Sequence, residues 1–200
     1  MGEEILSEPF SRLAFAAIDF ESAGAAPGET DQPIQVGIVR VESIFGPEEL
    51  FSTYIACDHP VRWSASKVHG ITTSDLKDAP TMLSLWGEFR RLLSGCVVVG
   101  HNPSTEQRFL SAFPAHGFGP WLDTLALARH CMPGLPDYSL SAVCEALRIE
   151  PEVMWRVPGH SWHHALFDAV GSLEVLRAIV LGLQLQERPL ETLSFALKVK

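Results

Sequence analysis

The run Leu13-Ala14-Phe15-Ala16-Ala17-Ile18 is apolar without polar alternation. A short unbroken run of this kind suits a strand covered on both faces. Residues 22–33, rich in Gly, Ala, Pro and acids, read as a loop. Residues 34–42 alternate in part, with Ile34, Val36 and Ile38 inward, and predict a second strand. A third is expected at residues 50–57, beyond a turn at Gly46-Pro47. These three strands form an antiparallel meander. The period then changes. Leu83, Leu85, Trp86, Phe89, Leu92 and Leu93 fall near helical spacing after a start signal at Pro80-Thr81. Residues 96–100 are wholly apolar and suit a central parallel strand. Helices are expected at 104–116, with Pro103 near the first turn, and at 124–129, 139–147 and 161–183. A brief strand is expected at Trp121-Leu122. A meander followed by alternating helices and strands predicts an α/β domain with a mixed five-stranded sheet flanked by helices. The expected division is a loose leader at 1–12, one domain at 13–183 and a tail at 184–200 with room for a short helix.

Composition narrows the class. At 200 residues and 46% apolar content, the chain can bury a core without staples. Cys57, Cys96, Cys131 and Cys144 show neither a close pair nor a zinc spacing. They read as reduced thiols of a cytoplasmic protein. Glu3, Glu4 and Glu8 stand where a signal peptide would carry basic residues, and no apolar stretch approaches a membrane span. A net charge of −9 argues against a surface that coats nucleic acid. It is compatible with an acidic cluster that bound metal ions neutralise, so that phosphates meet cations. Arg62, Lys67, Arg90, Arg91, Arg108 and Arg129 are the candidates for a small basic patch.

Three segments carry the chemistry. Asp19 and Glu21 are two residues apart at the end of the first strand, which puts both on one face. Carboxylates held that close repel unless a positive charge lies between them, and a hard divalent cation is the usual solution. The apolar run ending at Gly100-His101-Asn102 leads into a helix with Glu106 in its first turn, where the helix dipole favours an anion. His163 and Asp168 are expected on the longest helix, five residues apart, lining one cavity without touching each other. A histidine beside metal-held carboxylates can take a proton from an attacking water. Asp19, Glu21, Glu106, Asp168 and His163 together fit two-metal hydrolysis of a phosphate ester. A zinc hydrolase using His160, His163 and His164 is the other metal reading, with irregular ligand spacing.

These segments resemble the DEDDh branch of the DEDD 3′–5′ exonucleases. That group includes the epsilon proofreading subunit of bacterial DNA polymerase III, ribonuclease T and oligoribonuclease. Asp19-Phe20-Glu21-Ser22-Ala23-Gly24 is similar to the first motif, and Gly100-His101-Asn102 with Phe109-Leu110 to the second. His163-x-Ala165-Leu166-x-Asp168-Ala169 is similar to the third. Val68-His69-Gly70-Ile71-Thr72 and Asp123-Thr124-Leu125 match two further signatures in the expected order. The resemblance implies a ribonuclease-H-like fold and removal of nucleoside monophosphates from a 3′ end with two divalent cations, Mg2+ or Mn2+. It implies metal ligation by Asp19, Glu21 and Asp168, with Glu106 joining directly or through water, and His163 as general base. Phe20, Ser22, Ala23, His69 and Asn102 are the implied substrate-binding positions, while Asp123 is implied to be structural. Glu106 departs from the family, which has Asp there. The extra methylene adds about 1.5 Å of reach and motivates the alternative of a catalytically weakened module that binds nucleic-acid ends. Trp63 and Trp162 are candidates for stacking near the groove. The expected partner is the 3′ end of a single-stranded nucleic acid. A polymerase is a partner by analogy only, a homodimer is a further candidate, and no membrane is expected.

Overall fold

The computed structural model describes residues 2–198. Its centre is a six-stranded mixed sheet of order β3-β2-β1-β4-β5-β6. The expected meander is β1 (Phe15–Ser22), β2 (Pro33–Val41) and β3 (Glu48–Tyr54), antiparallel throughout. β4 (Val97–Gly100) runs parallel to β1, and β5 (Trp121–Asp123) parallel to β4. A two-residue β6 (Leu197–Lys198) closes the edge antiparallel to β5. This sixth strand exceeds the expected five. It forms because Leu190, Leu193 and Ala196 are buried in the core, which draws the tail to the β5 edge. The architecture is ribonuclease-H-like.

Eight α-helices accompany the sheet among the described residues. They are α1 (Gly2–Ser7), α2 (Trp63–His69), α3 (Trp86–Leu93), α4 (Ser104–Leu110), α5 (Thr124–Cys131), α6 (Leu140–Leu147), α7 (Glu150–Arg156) and α8 (Ala165–Gly182). The period-two geometry of β1 sorts its side chains into two apolar layers. Phe15 and Ala17 join Val39, Val97, Val99 and the buried residues of α8. Ala16, Ile18 and Phe20 join Phe89, Leu92, Phe109 and Leu110 of α3 and α4. Burial on both faces explains why the sequence of β1 does not alternate.

The leader departs from the loose segment the sequence suggests, and the tail carries a short 3-10 helix at Leu190–Ala196, for which the sequence left room. Phe10 is fully buried and stacks on Phe15 with ring centroids 6.1 Å apart. The Phe10 N–H donates to Arg188 O (3.2 Å), the Ser11 N–H to Gln186 O (2.9 Å) and the Leu190 N–H to Glu8 O (3.0 Å). A bridge joins Pro9 and Pro189. The expected helix at 104–116 stops at Leu110, a few residues before Pro114. α1, α2 and α7 are additions to the sequence expectation.

One glycine sets where α8 lands. Gly37 pairs with Asp19 in the β1–β2 register. A Cβ on Gly37 would lie 2.1 Å from Leu166 N and 2.3 Å from Ala165 C. The start of α8 therefore rests directly on strand backbone, as a glycine inside a strand permits. Gly37→Ala is expected to push α8 off the sheet, destabilise the fold by about 1–3 kcal/mol and reduce any activity that needs Asp168 beside Asp19. Urea unfolding and an activity assay on the same sample check this. A Gly37→Ala protein of unchanged stability would mean that the backbone contact is not tight.

Candidate active site

β1 pairs with β4 only as far as Ala17↔Val99, so Asp19 to Ser22 run on beyond their parallel neighbour. Strand periodicity aims Asp19 and Glu21 to the same side as Phe15 and Ala17, the side on which α8 packs. Phe20 points the other way. Its ring packs on Phe109 (5.5 Å) and Phe89 (6.1 Å) and offers no free face for stacking.

Asp168 stands in the first turn of α8. Gln35, buried and paired in register with Glu21, accepts the Ala165 N–H through Oε1 at 3.0 Å. This satisfies one of the orphan donors at the helix start. The His163 N–H donates to Asp168 Oδ2 at 3.2 Å. His163 itself is exposed and lies before the helix with φ of 67°, a conformation uncommon outside glycine. The expectation of two helical residues lining a cavity without contact is thus corrected. The left-handed residue ends the preceding turn, so α8 begins at Ala165 and the Asp168 carboxylate reaches back to His163. Ligand-type atoms of Glu21, His163 and Asp168 all lie within 4.8 Å of one another.

The electrostatics of this end of the sheet are unbalanced. Burial pushes the Asp19 carboxyl well above its ordinary range, and the charges of Glu106, Asp168 and Glu21 add to the effect. Burial first, then Asp168 and Glu106, raises Glu21 to about 8. Asp168 rises to about 7 through burial, against the pull of the His163 N–H. Glu106 is buried and rises to about 7 for the same first reason, opposed by the N–H groups of Glu106 itself and of Phe20 and by Arg108. Its longer arm thus reaches the backbone of β1, and its charge is felt at Asp19. Asp168 Oδ1 is buried without a hydrogen-bond partner. Repelling carboxylates, a buried oxygen with a spare lone pair and a nearby imidazole fit a divalent cation with mostly oxygen ligands.

The remaining expected positions divide. His69 Nδ1 accepts the Ile71 N–H at 3.0 Å. Its Nε2 therefore carries the proton and donates to Ser22 O at 3.2 Å. Burial lowers the His69 pKa, the Ser22 contact opposes this, and His163 adds to the lowering. The Ala23 side chain is buried. Its N–H donates to Gln32 O at 2.9 Å, and its carbonyl accepts the Arg62 N–H at 2.8 Å. Asn102 is exposed with φ of 60°, and its N–H donates to Asp123 Oδ1 at 3.0 Å. The same oxygen caps α5 through the Leu125 and Ala126 N–H groups. Asn102 therefore borders a shallow depression with Asp123, Arg129 and His130. His160 and His164 stack at 3.8 Å. Among the described residues they do not join His163 in a ligand group; Glu21 and Asp168 do. Gly37 and Gln35 escaped the sequence reading. A lone glycine and a lone glutamine inside an apolar strand were the available signals.

A family model described as exonuclease, of the RNase T type, matches residues 16–176. The chain belongs to the RNase T/DEDDh exonuclease family. Among proteins similar to this chain, the DNA polymerase III subunit epsilon of Aquifex aeolicus is 30% identical over 171 residues, covering 83% of this chain and 80% of that protein. The subunit epsilon of Rickettsia prowazekii is 26% identical, covering 87% of this chain and 77% of that protein. A DNA polymerase III subunit epsilon-like protein of Rhodobacter capsulatus is 28% identical over 92% of this chain, and the chain spans only 26% of its length. In fold, the chain is similar to Exonuclease X in complex with 5′ overhanging duplex DNA, with a TM-score of 0.68 and 24% identity, covering 91% of this chain and 99% of that one. No described helix is long and apolar enough to cross a membrane.

Proposed function

We propose that this exonuclease hydrolyses the terminal phosphodiester at the 3′ end of DNA or RNA and releases nucleoside 5′-monophosphates, with two divalent cations, Mg2+ or Mn2+, and His163 as general base. The observation that carries this reading is the convergence of Glu21, His163 and Asp168 beside a buried, unpartnered Asp168 Oδ1. Glu21 and Asp168, with Asp19 and Glu106 behind them, would hold the cations. When bound, these supply the positive charge that the attacking and leaving oxygens of an in-line displacement require.

The chain's own residues do the rest. His163 is the exposed member of the group, so its ring can accept a proton from the attacking water and return it to solvent. The bond from the His163 N–H to Asp168 fixes the backbone that aims the ring. His69 and the Arg62 N–H occupy the carbonyls of Ser22 and Ala23. That segment is thereby held rigid beside Glu21, where the terminal nucleotide would lie. Asn102 would contribute from the adjoining β4–α4 turn.

The test is hydrolysis of matched 5′-labelled DNA and RNA single strands with Mn2+, with Mg2+ and with chelator. A ladder shortening from the 3′ end, dependent on metal, is the expected result. Binding without cleavage under every metal would favour the weakened end-binding module. Glu106→Asp bears on the same choice. The shorter arm withdraws from the Phe20 N–H, so hydrolysis is expected to fall about ten-fold, on the order of one charge-assisted hydrogen bond. A gain in rate would show that Glu106 is a handicap.

A further inference from the structure

We infer that Trp63 and Lys67 on α2 form a platform for single-stranded nucleic acid, upstream of the nucleotide being cleaved. The inference rests on the nucleic-acid reading of the site. Trp63 is 72% exposed, a large aromatic side chain left mostly in water. Lys67, one turn later, places its ammonium 4.0 Å from the centre of the Trp63 ring. The pair presents an aromatic face and a cation together, and α2 contains no acid on a chain whose net charge is −9. A base stacked on the indole with its phosphate at the ammonium is the ligand this chemistry fits.

The placement of α2 ties the pair to the site. The Arg62 N–H, just before the helix, donates to Ala23 O at 2.8 Å. At its other end, His69 donates to Ser22 O at 3.2 Å. Between them the backbone of Gly24 packs against Arg62 and Ala65, whose Cβ atoms would stand 3.2 and 3.4 Å from a Cβ at that glycine. Both ends of the helix are thus fastened to the residues that follow Glu21. Arg62, the residue before Trp63, bonds Ala23 directly, so Trp63 stands one residue from a contact with the segment that follows Glu21. A strand ending at Glu21 and Asp168 has its preceding nucleotides within reach of the pair. Arg62, ion-paired to Glu29 at 3.0 Å, flanks the same start of the helix.

Fluorescence anisotropy in chelator, with a labelled dinucleotide and a labelled long single strand, reads the platform without hydrolysis. Trp63→Ala is expected to weaken the long strand roughly ten-fold and to leave the dinucleotide unchanged, and Trp63→Phe to restore most of the loss. Lys67→Ala is expected to lower the salt dependence of long-strand binding by about one phosphate contact. Long-strand binding that is absent in the wild type, or equal in Trp63→Ala, would overturn the platform, as would an equal loss for the dinucleotide. Metal-dependent hydrolysis of a small chromogenic nucleotide ester keeps the two readings apart. Ester hydrolysis with Trp63-independent strand binding defeats the platform alone. Trp63-dependent binding without ester hydrolysis supports the platform and defeats the hydrolytic reading.

Discussion

Asp168→Asn is expected to abolish hydrolysis and, in metal-free protein at pH 8, to raise the melting temperature. The two effects have opposite signs because the same carboxylate serves a cation and burdens the fold. Burial and its neighbours make its charge costly, and its Oδ1 has no partner. Asparagine removes the charge while its amide oxygen can still accept the His163 N–H. Losing a metal ligand forfeits several kcal/mol of transition-state stabilisation, which corresponds to roughly a thousand-fold or more in rate. Removing this buried charge returns about 1 kcal/mol or more of stability, or about 2–4 °C for a chain of this size. Activity assays and thermal denaturation in chelator measure both. An inactive variant that melts lower than wild type would make Asp168 a structural residue and remove the main support for the cation site.

The second large effect is on stability against pH. Asp168 and Glu106 titrate at about 7 in the folded protein and Glu21 at about 8, with Asp19 also raised. In the unfolded chain these groups return to the ordinary carboxylate range near 4. Between those limits the folded state binds more protons than the unfolded state, so stability falls as pH rises. The metal-free protein is therefore expected to be most stable at or below about pH 4 as far as these groups decide, and to lose that stability as pH rises through about 7 and 8. By pH 8 it should have lost on the order of several kcal/mol, about 10 °C in melting temperature. Saturating Mn2+ should flatten the slope by neutralising the charges and adding binding free energy to the folded state. A melting temperature in chelator that climbs from pH 5 to pH 8 would contradict the cluster's electrostatics.

The meander, the parallel strand at β4 and the alternation that follows were legible because burial imprints itself on residue type along each segment. Glu21, His163 and Asp168, whose ligand-type atoms the fold brings together, stood out in the sequence because each lies at the end of an apolar run or near the start of a helix. The conformation of His163 did not. Period 3.6 fits residues 161–183 well enough that nothing in the side chains marks a left-handed residue at His163, and histidine carries no strong backbone signature. Gly37 was visible as a letter but not as a contact, since its meaning depends on the Leu166 backbone arriving from far along the chain. The leader misled for a related reason. Phe10 stands alone among polar neighbours, and only the long-range pairing with Gln186 and Arg188 gives it a buried place. Phe20 was read as a substrate contact from its neighbours in the motif, whereas strand parity sends its ring to the layer opposite Asp19.

The pairing of the first and last segments has a mechanical consequence. Pro9 and Pro189 are bridged, and the bonds from Phe10, Ser11 and Leu190 lie beside that bridge. A load applied through the chain from the N-terminal side is borne early by these few bonds, which peel in sequence rather than shear together, while one from the other side must first strip β6 from β5. β1 enters the sheet only after them, at Phe15. In a single-molecule pulling experiment, the earliest extension is expected from these outer segments while the strand that carries Asp19 and Glu21 stays paired. Tension along the backbone therefore meets these outer pairings before it meets β1 or α8, the two elements that carry Asp19, Glu21 and Asp168.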